Sequence, residues 1–254
     1  MSEYKKILFS IDEGVARITL NRPDKRNALD GEIISEIRRA VDRTARDESV
    51  RVILVAGAGK DFCSGADLAA LQRISEATVM DNVADARRFA ELFIAMRNHP
   101  RPIIAAVRGR ALAGGCGLAT ACDIILASES SQFGYPEVNI GFVPAMVMAV
   151  LRRSVSEKRA FEMITRGEII SAQATMEMGL VNRVFSDDRF DSEVEAYVSS
   201  MAAKSASAVS LCKSLLYHMD AMSFEAAIEA GVQMNAIARM TEDCKRGVER
   251  FLKK

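Results

Sequence analysis

The sequence predicts an α/β protein in which helices pack against β-sheets. Short apolar segments typical of buried strands alternate with segments of helical period along the first three quarters of the chain. From Phe190 onward the strand-like segments end, no proline occurs, and amphipathic helical segments follow one another. We therefore expect a core over residues 1–187 and a helical region over residues 188–254.

The chain begins with a predicted β-hairpin. Apolar residues alternate over 7–11 and 16–20, and Glu13 and Gly14 stand between the two segments. A helix is predicted next, with Asp30 as its N-cap, because apolar residues recur on one helical face (Ile33, Ile37 and Val41).

Strands and helices alternate through the rest of the core. A helix is expected directly after Gly65, and another over residues 80–96 that His99 and Pro100 stop. Three apolar segments predict buried strands, at residues 50–57, 102–109 and 123–128. In the helical region, four segments predict helices, at residues 190–204, 207–219, 223–240 and 242–252.

Composition excludes several classes of function. The 254 residues carry 34 basic and 34 acidic side chains, which argues against a dedicated binder of nucleic acid or membrane surfaces. The start of the chain lacks the apolar run of a signal peptide, and no run of about 18 apolar residues occurs. The cysteines are odd in number and form no CxxC pair, which favours reduced thiols in a cytosolic protein (Cys63, Cys116, Cys122, Cys212 and Cys244).

Familiar catalytic motifs are missing. The sequence has no GxGxxG at a strand-to-helix turn, and Lys60 of the segment AGAGKD is followed by Asp61 instead of Ser or Thr. Only two histidines occur, His99 before a proline and His218 in the helical region, so a Ser-His-Asp triad or a zinc site has few candidate residues. We therefore expect neither a metal nor a bound cofactor.

Two glycine-rich turns are candidate sites of backbone chemistry. One precedes a predicted helix at Gly65, in FCSGADLAAL, and the other enters a helix through Gly114 and Gly115, in LAGGCGLA. The first N–H groups of a helix have no partner inside it, and two of them aimed at one oxygen stabilise an oxyanion. Each turn taken alone is also compatible with a purely structural role.

Glu137 is the candidate acid and base. It lies between Pro136 and Val138 in the apolar and aromatic segment FGYPEVNIGFVP. A carboxyl in such surroundings is desolvated, which raises its pKa and suits it to moving protons. The other interpretation is a solvated glutamate in a loop.

Taken together and in order, five segments resemble the crotonase superfamily, the enoyl-CoA hydratase and isomerase family. The resemblance extends over nearly the whole chain. The segments are LNRPDKRNAL (20–29), AGAGKDFCSGADL (56–68), IIAAVRGRALAGGCGLATACDIILAS (103–128), FGYPEVNIGFVP (133–144) and SAQATMEMGLVNRV (171–184).

The resemblance implies a spiral of strand–strand–helix turns with C-terminal helices that build homotrimers, often paired into hexamers. The substrate would be an acyl thioester of coenzyme A, with no separate cofactor. Its thioester oxygen would lie between the N–H groups of Ala66 and Gly114. Phe251 and Lys254 match positions that reach into a neighbouring subunit's coenzyme A site.

The resemblance also implies where the coenzyme A portion binds. Its phosphates and adenine would meet Lys25, Arg26 and Ala28 of the segment PDKRNAL. Asp67 and Leu68 would lie beside the ligand. The segment over residues 71–86 would form part of the acyl pocket wall.

The sequence departs from the family pattern at one catalytic position. Hydratases of the family carry two glutamates; Glu137 matches the second, and Gly117 stands where the first is expected. We expect Gly117 to leave space beside the thioester for a branched or carboxylated acyl chain. The segment PEVNIGFVPA, together with the missing first glutamate, most resembles bacterial members of the family that hydrate branched enoyl-CoAs such as 3-methylglutaconyl-CoA. This resemblance implies hydration of a short or branched 2-enoyl-CoA. Two alternatives stay open: migration of a 3-enoyl double bond, and coenzyme A binding without catalysis.

Overall fold

The computed structural model describes residues 4–67, 72 and 76–253, and its strands build two sheets. A six-stranded sheet has the order β1-β2-β3-β4-β6-β9, and a three-stranded sheet the order β5-β7-β8. The strands are β1 (Ile7–Asp12), β2 (Val15–Leu20), β3 (Val52–Gly57), β4 (Ile103–Val107), β5 (Arg110–Leu112), β6 (Ile124–Ser128), β7 (Gln132–Gly134), β8 (Ile169–Ser171) and β9 (Arg183–Phe185).

The large sheet is mixed and its central strands are parallel. β1 and β2 form the predicted antiparallel hairpin, in which Glu13 and Gly14 turn the chain with φ of 48° and 79°. Each remaining neighbouring pair of this sheet is parallel. In the small sheet β5 and β7 pair parallel, and β7 and β8 pair antiparallel.

The helices confirm most of the predicted segments. The Asp30 side chain caps α1 by accepting hydrogen bonds from the N–H groups of Glu32 and Ile33, at 3.1 and 3.0 Å. The helices are α1 (Gly31–Ala45), α2 (Val79–Asn98), α3 (Gly114–Thr120), α4 (Ala145–Ser154), α5 (Glu157–Arg166), α6 (Ala172–Glu177), α7 (Phe190–Ala202), α8 (Ala206–His218), α9 (Phe224–Met240) and α10 (Glu242–Leu252). Short 3-10 helices span Pro23–Lys25, Pro136–Ile140 and Met219–Ala221.

Both faces of the large sheet are covered, so strand β3 is buried on each side. Its Ile53 and Val55 join the main core, while Val52 and Leu54 pack on the opposite face. Helix α7 covers that opposite face through three apolar side chains (Phe190, Val194 and Val198). The helical region therefore begins with a helix that packs on the sheet, and the division into two domains at residues 187 and 188 stays a prediction.

The later helices are joined to the core by a buried ionic cluster. Lys213 of α8 donates hydrogen bonds to the Asp123 carboxylate at 2.8 Å and to the carbonyl of Met96 at 3.0 Å. Asp123 also accepts from the Tyr217 hydroxyl at 2.5 Å.

The five cysteines carry free thiols, as predicted. Among the described residues, no helix combines the length and the apolar character needed to cross a bilayer.

Candidate active site

The two glycine-rich turns are joined by backbone pairing. The N–H of Cys63 donates to the Arg110 carbonyl at 2.9 Å, and the N–H of Leu112 donates to the Cys63 carbonyl at 3.0 Å. Gly115 is needed for this contact, because a Cβ there would lie 2.7 Å from Cβ and Sγ of Cys63. The segment before Gly65 and the entry to α3 therefore lie side by side.

Ala66 presents its N–H away from the chain that holds it. The Leu29 N–H donates to the Gly65 carbonyl at 2.7 Å, and the Asp67 N–H donates to the Leu29 carbonyl at 2.9 Å. In this parallel pairing the N–H of the middle residue points to the opposite side. No described backbone carbonyl accepts the Ala66 N–H.

The helix predicted directly after Gly65 does not begin at Ala66 or Asp67, because Ala66 pairs with Leu29 as in a parallel sheet and the Asp67 N–H donates to the Leu29 carbonyl. The N–H of Ala66 is therefore not one of the unpartnered N–H groups of the first turn of a helix. Residues 68–71 and 73–75 lie outside the described residues, and the Leu68 prediction with them.

Gly114 supplies the second N–H. It is the first residue of α3, so its N–H has no partner within the helix. Ala113 before it has φ of 50° and ψ of −128°, a conformation that costs a non-glycine residue about 1–3 kcal/mol. A Cβ at Gly65, whose φ is 99°, would lie 2.8 Å from the Ala113 Cβ. Gly65 and Ala113 are therefore in close contact. The two candidate N–H groups belong to the residues that directly follow them in sequence, Ala66 and Gly114.

Glu137 lies in the 3-10 helix Pro136–Ile140, with its side chain half-buried. Burial raises the pKa of its carboxyl above the ordinary value of 4.5. Its Oε2 is buried, and no hydrogen-bond partner for that atom occurs among the described residues. These surroundings fit a proton-transferring carboxyl better than a solvated glutamate in a loop.

The thiol of Cys116 is near this carboxyl but is not a nucleophile. Burial raises the pKa of Cys116 to about 11, and the charge of Glu137 contributes in the same direction. The thiol is therefore protonated at neutral pH.

A buried hydrogen-bonded pair fixes the segment that carries Glu137, and sequence reasoning did not find it. The Thr120 hydroxyl donates to the Cys116 carbonyl at 2.8 Å and accepts from the Tyr135 hydroxyl at 2.8 Å. Tyr135 directly precedes Pro136 and Glu137, and Thr120 ends α3. The pair therefore ties the glutamate segment to the helix that begins with Gly114. Its only sequence signal was the position of Tyr135 beside the PE dipeptide.

The expected space beside Gly117 does not exist, and that prediction is wrong. A Cβ at Gly117 would lie 2.5 Å from Val147 Cγ2 and 3.3 Å from Phe93 Cζ. Helix α4 places Val147 where a side chain at position 117 would project. Gly117 therefore permits close packing of α3 and α4 and leaves no room there for a branched acyl chain.

Gly114 differs in its surroundings. A Cβ there would meet Phe89 at 3.4 Å and Leu29 at 3.5 Å, close to ordinary van der Waals contact. Packing within the chain therefore does not by itself require glycine at position 114, unlike positions 115 and 117.

The loop predicted to bind coenzyme A lies against the Gly65 turn. Arg26 has φ of 50°, and its carbonyl accepts the Ser64 N–H at 3.0 Å. The buried Asn27 amide donates to the carbonyls of Ala58 and Asp61 at 2.9 and 2.7 Å, which fixes the loop. The Lys25 side chain is 62% exposed. Ala28 is buried.

Asp67 is buried and engaged with an arginine. Arg22 donates to the Asp67 carboxylate at 2.7 Å and to the Ala28 carbonyl at 2.7 Å. The Asp67 side chain therefore holds the loop together, and its place beside a ligand stays a prediction.

Phe251 is 78% exposed on α10, and Lys254 lies outside the described residues. Their role in a neighbouring subunit stays a prediction.

The core histidine has a structural role. Burial lowers the pKa of His99 to about 4, so its ring is neutral at pH 7. One ring nitrogen accepts the Arg101 N–H at 3.0 Å, and the other is 3.2 Å from the Thr44 hydroxyl.

Comparison with known proteins identifies the family of this chain. A model of the enoyl-CoA hydratase/isomerase family matches residues 10–254. The chain belongs to the enoyl-CoA hydratase/isomerase family. A family relative from Escherichia coli K12, named 2,3-dehydroadipyl-CoA hydratase, is 32% identical over 250 residues, which cover 98% of this chain and 96% of the relative.

Solved structures of the family share the α/β crotonase fold of this chain. An enoyl-CoA hydratase from Mycobacterium smegmatis superposes with a TM-score of 0.93 at 35% identity and covers 98% of this chain and 96% of its own. Human enoyl-CoA hydratase domain-containing protein 3 superposes with a TM-score of 0.92 at 30% identity and covers 98% of each chain. These likenesses confirm the predicted fold class and the predicted family.

Proposed function

We propose that this protein adds water to a short 2-enoyl-CoA thioester, with Glu137 as its single catalytic carboxyl. The observation that carries the proposal is a half-buried carboxyl of raised pKa, tied by Tyr135 and Thr120 to the helix that begins at Gly114, whose N–H has no partner within that helix. A family relative from Escherichia coli is named as a hydratase of an enoyl-CoA, which supports the same reaction.

The N–H groups of Ala66 and Gly114 hold the thioester oxygen. As water adds to the β-carbon, negative charge moves onto this oxygen, and each donor stabilises the resulting enolate. Removal of one such donor typically raises the barrier by about 2.7–4 kcal/mol. Both donors are backbone groups, one fixed by pairing with Leu29 and the other at the start of α3, so they need little reorganisation during the reaction.

Glu137 carries out both proton transfers. Its carboxylate accepts a proton from the attacking water as the new C–O bond forms at the β-carbon. The same carboxyl then donates that proton to the α-carbon, which completes the hydration and restores the carboxylate. A raised pKa suits both steps, since the group must accept and release a proton near neutral pH.

The proposed substrate is short, and the support for a branched one is weaker than the sequence indicated. The expected room for a branched acyl chain relied on open space beside Gly117, and Val147 occupies that space. The 3-methylglutaconyl-CoA type then rests on the resemblance of the segment PEVNIGFVPA and on the missing first glutamate. A 3-enoyl-CoA isomerase is the second candidate, because one carboxyl can carry a proton between two carbons of a substrate. The side chains next to Gly117, Val147 and Phe93, are apolar and supply no second acid, which favours the isomerase.

We propose self-association as well, as a homotrimer or a hexamer built through the C-terminal helices. Several large apolar side chains of α9 and α10 are exposed in the single chain (Phe224, Ile228, Val232, Ile237, Met240, Phe251 and Leu252). Exposed apolar surface of this extent marks interaction sites in proteins.

The test is mass spectrometry of products from crotonyl-CoA, 3-methylglutaconyl-CoA and a 3-enoyl-CoA, with the unmodified protein and Glu137→Gln. We expect a product heavier by one water, formed about 10²–10⁴-fold more slowly by Glu137→Gln. Glu177→Gln, at an exposed position on α6, is the matched control and should keep full activity.

Three results would contradict the hydratase proposal. A product of unchanged mass with a shifted double bond identifies an isomerase. Binding of coenzyme A esters without turnover identifies a non-catalytic binder. Full activity in Glu137→Gln removes the proposed role of this carboxyl.

A further inference from the structure

One face of α3 is covered by apolar side chains from two other helices. Phe89 and Phe93 of α2 stack with ring centroids 4.5 Å apart. Phe89 faces the Cβ position of Gly114, while Phe93 and Val147 face that of Gly117. Residues three apart share a helix face, so these side chains form one continuous surface along α3. We call the set of Phe89, Phe93 and Val147 the apolar wall.

Glu137 is not part of this wall. Its segment is tied instead to Cys116 and Thr120, because the Tyr135 hydroxyl lies 2.8 Å from the Thr120 hydroxyl, which donates to the Cys116 carbonyl. Cys116 lies about 200° around the helix from Gly114, because successive residues of an α-helix turn by about 100°. A group bound at the Gly114 N–H therefore has a carboxyl on one side and the apolar wall on the other.

Val147 is the member of the wall that belongs to α4 and packs against α3. It is buried, with 4% of its surface exposed, and its Cγ2 fills the position of a missing side chain at Gly117. The rise from Gly114 to Gly117 is about 4.5 Å, roughly the length of a four-carbon acyl chain.

We propose that Val147 is a specificity-determining residue that, with Phe93, ends the acyl site one helical turn beyond the Gly114 N–H. This inference rests on the proposed function for the position of the thioester. It assigns the substrate class more narrowly, as thioesters of straight, apolar acyl chains of about four carbons. Longer chains meet the side chains of Val147 and Phe93.

The test measures binding, so that it does not depend on turnover. Dissociation constants of butyryl-CoA, hexanoyl-CoA and octanoyl-CoA are determined by calorimetry for the unmodified protein and for Val147→Ala. Saturated esters have no double bond to hydrate. Met148→Ala is the control, because Met148 neighbours Val147 on α4 but is exposed. Phe93→Leu shortens the second side chain at this position and serves as an independent variant if Val147→Ala does not fold.

We expect the unmodified protein to prefer butyryl-CoA. Val147→Ala should shift the ratio of hexanoyl-CoA to butyryl-CoA affinity by about tenfold or more, since one methylene in an apolar pocket discriminates by about 10–200-fold. Phe93→Leu should shift the ratio in the same direction, and Met148→Ala should leave it unchanged.

Two outcomes would overturn the inference. One is equally tight binding of octanoyl-CoA and butyryl-CoA by the unmodified protein. The other is an unchanged ratio in folded Val147→Ala or Phe93→Leu. Turnover of crotonyl-CoA by the unmodified protein is recorded in parallel. If turnover fails while the chain-length preference shifts as expected, the proposed reaction is wrong and the acyl site stands.

Discussion

Substitution of Gly117 by alanine tests the packing of α3 against α4. Alanine is favoured over glycine inside a helix by about 1 kcal/mol. The new Cβ would lie 2.5 Å from Val147 Cγ2, about 1 Å closer than ordinary contact. Overpacking of a core by one carbon costs about 1–3 kcal/mol. We therefore expect Gly117→Ala to range from neutral to about 2 kcal/mol less stable than the unmodified protein.

A second glycine isolates the packing contribution. Gly247 lies inside α10, and a Cβ there would meet no atom within 4 Å. Gly247→Ala should therefore gain only the helix preference of about 1 kcal/mol. The two variants should differ by the overpacking cost of about 1–3 kcal/mol. In a chain of this size that difference corresponds to roughly 2–12 °C in Tm.

The assay is thermal unfolding at one fixed protein concentration, because self-association makes Tm depend on concentration. Gly117→Ala and Gly247→Ala are compared with Val147→Ala and with the double variant Gly117→Ala/Val147→Ala. In the Val147→Ala background the clash is gone, so alanine at position 117 should become stabilising. Equal Tm changes for Gly117→Ala and Gly247→Ala, with no rescue in the double variant, would refute the proposed contact.

Two further predictions concern buried charges. Because burial raises the pKa of Glu137, its ionisation destabilises the folded state, and this cost disappears as pH falls toward the ordinary carboxyl value of 4.5. Glu137→Gln should therefore have a higher Tm than the unmodified protein at pH 7.5 and a smaller advantage at pH 5; a constant difference would contradict the pKa shift. Lys213→Met leaves the Asp123 carboxylate buried without its cation and should cost about 3–5 kcal/mol, whereas Lys245→Met, at an exposed pair with Glu242, should change Tm little.

The parts of the fold that the sequence predicted are those with local signals. The Asp30 cap and the end of α2 before His99 and Pro100 depend on residues within one turn of each other. The hairpin was also predicted from neighbouring residues. The C-terminal helices were predicted because their amphipathic segments are long. The last helix spans Glu242–Leu252, the predicted range.

What sequence reasoning missed depends on pairing between distant segments. Strands β5, β7 and β8 have three residues each, too few for a periodic signal, and form because partners lie beside them. Ala66 was expected in a helix, yet Leu29 holds it extended. The hydrogen-bonded pair of Tyr135 and Thr120 likewise joins residues that no local motif connects.

The error at Gly117 has the same physical origin and bears on the chemistry. A glycine in a buried helix creates a cavity only if no neighbour fills the place of its side chain, and protein interiors are packed as densely as organic crystals. Val147 fills that place from α4. The Cβ of any side chain at position 117 would therefore meet Val147. Under the proposed reaction, the packing of residues 117 and 147 leaves Glu137 as the single carboxyl, which would then serve both proton transfers.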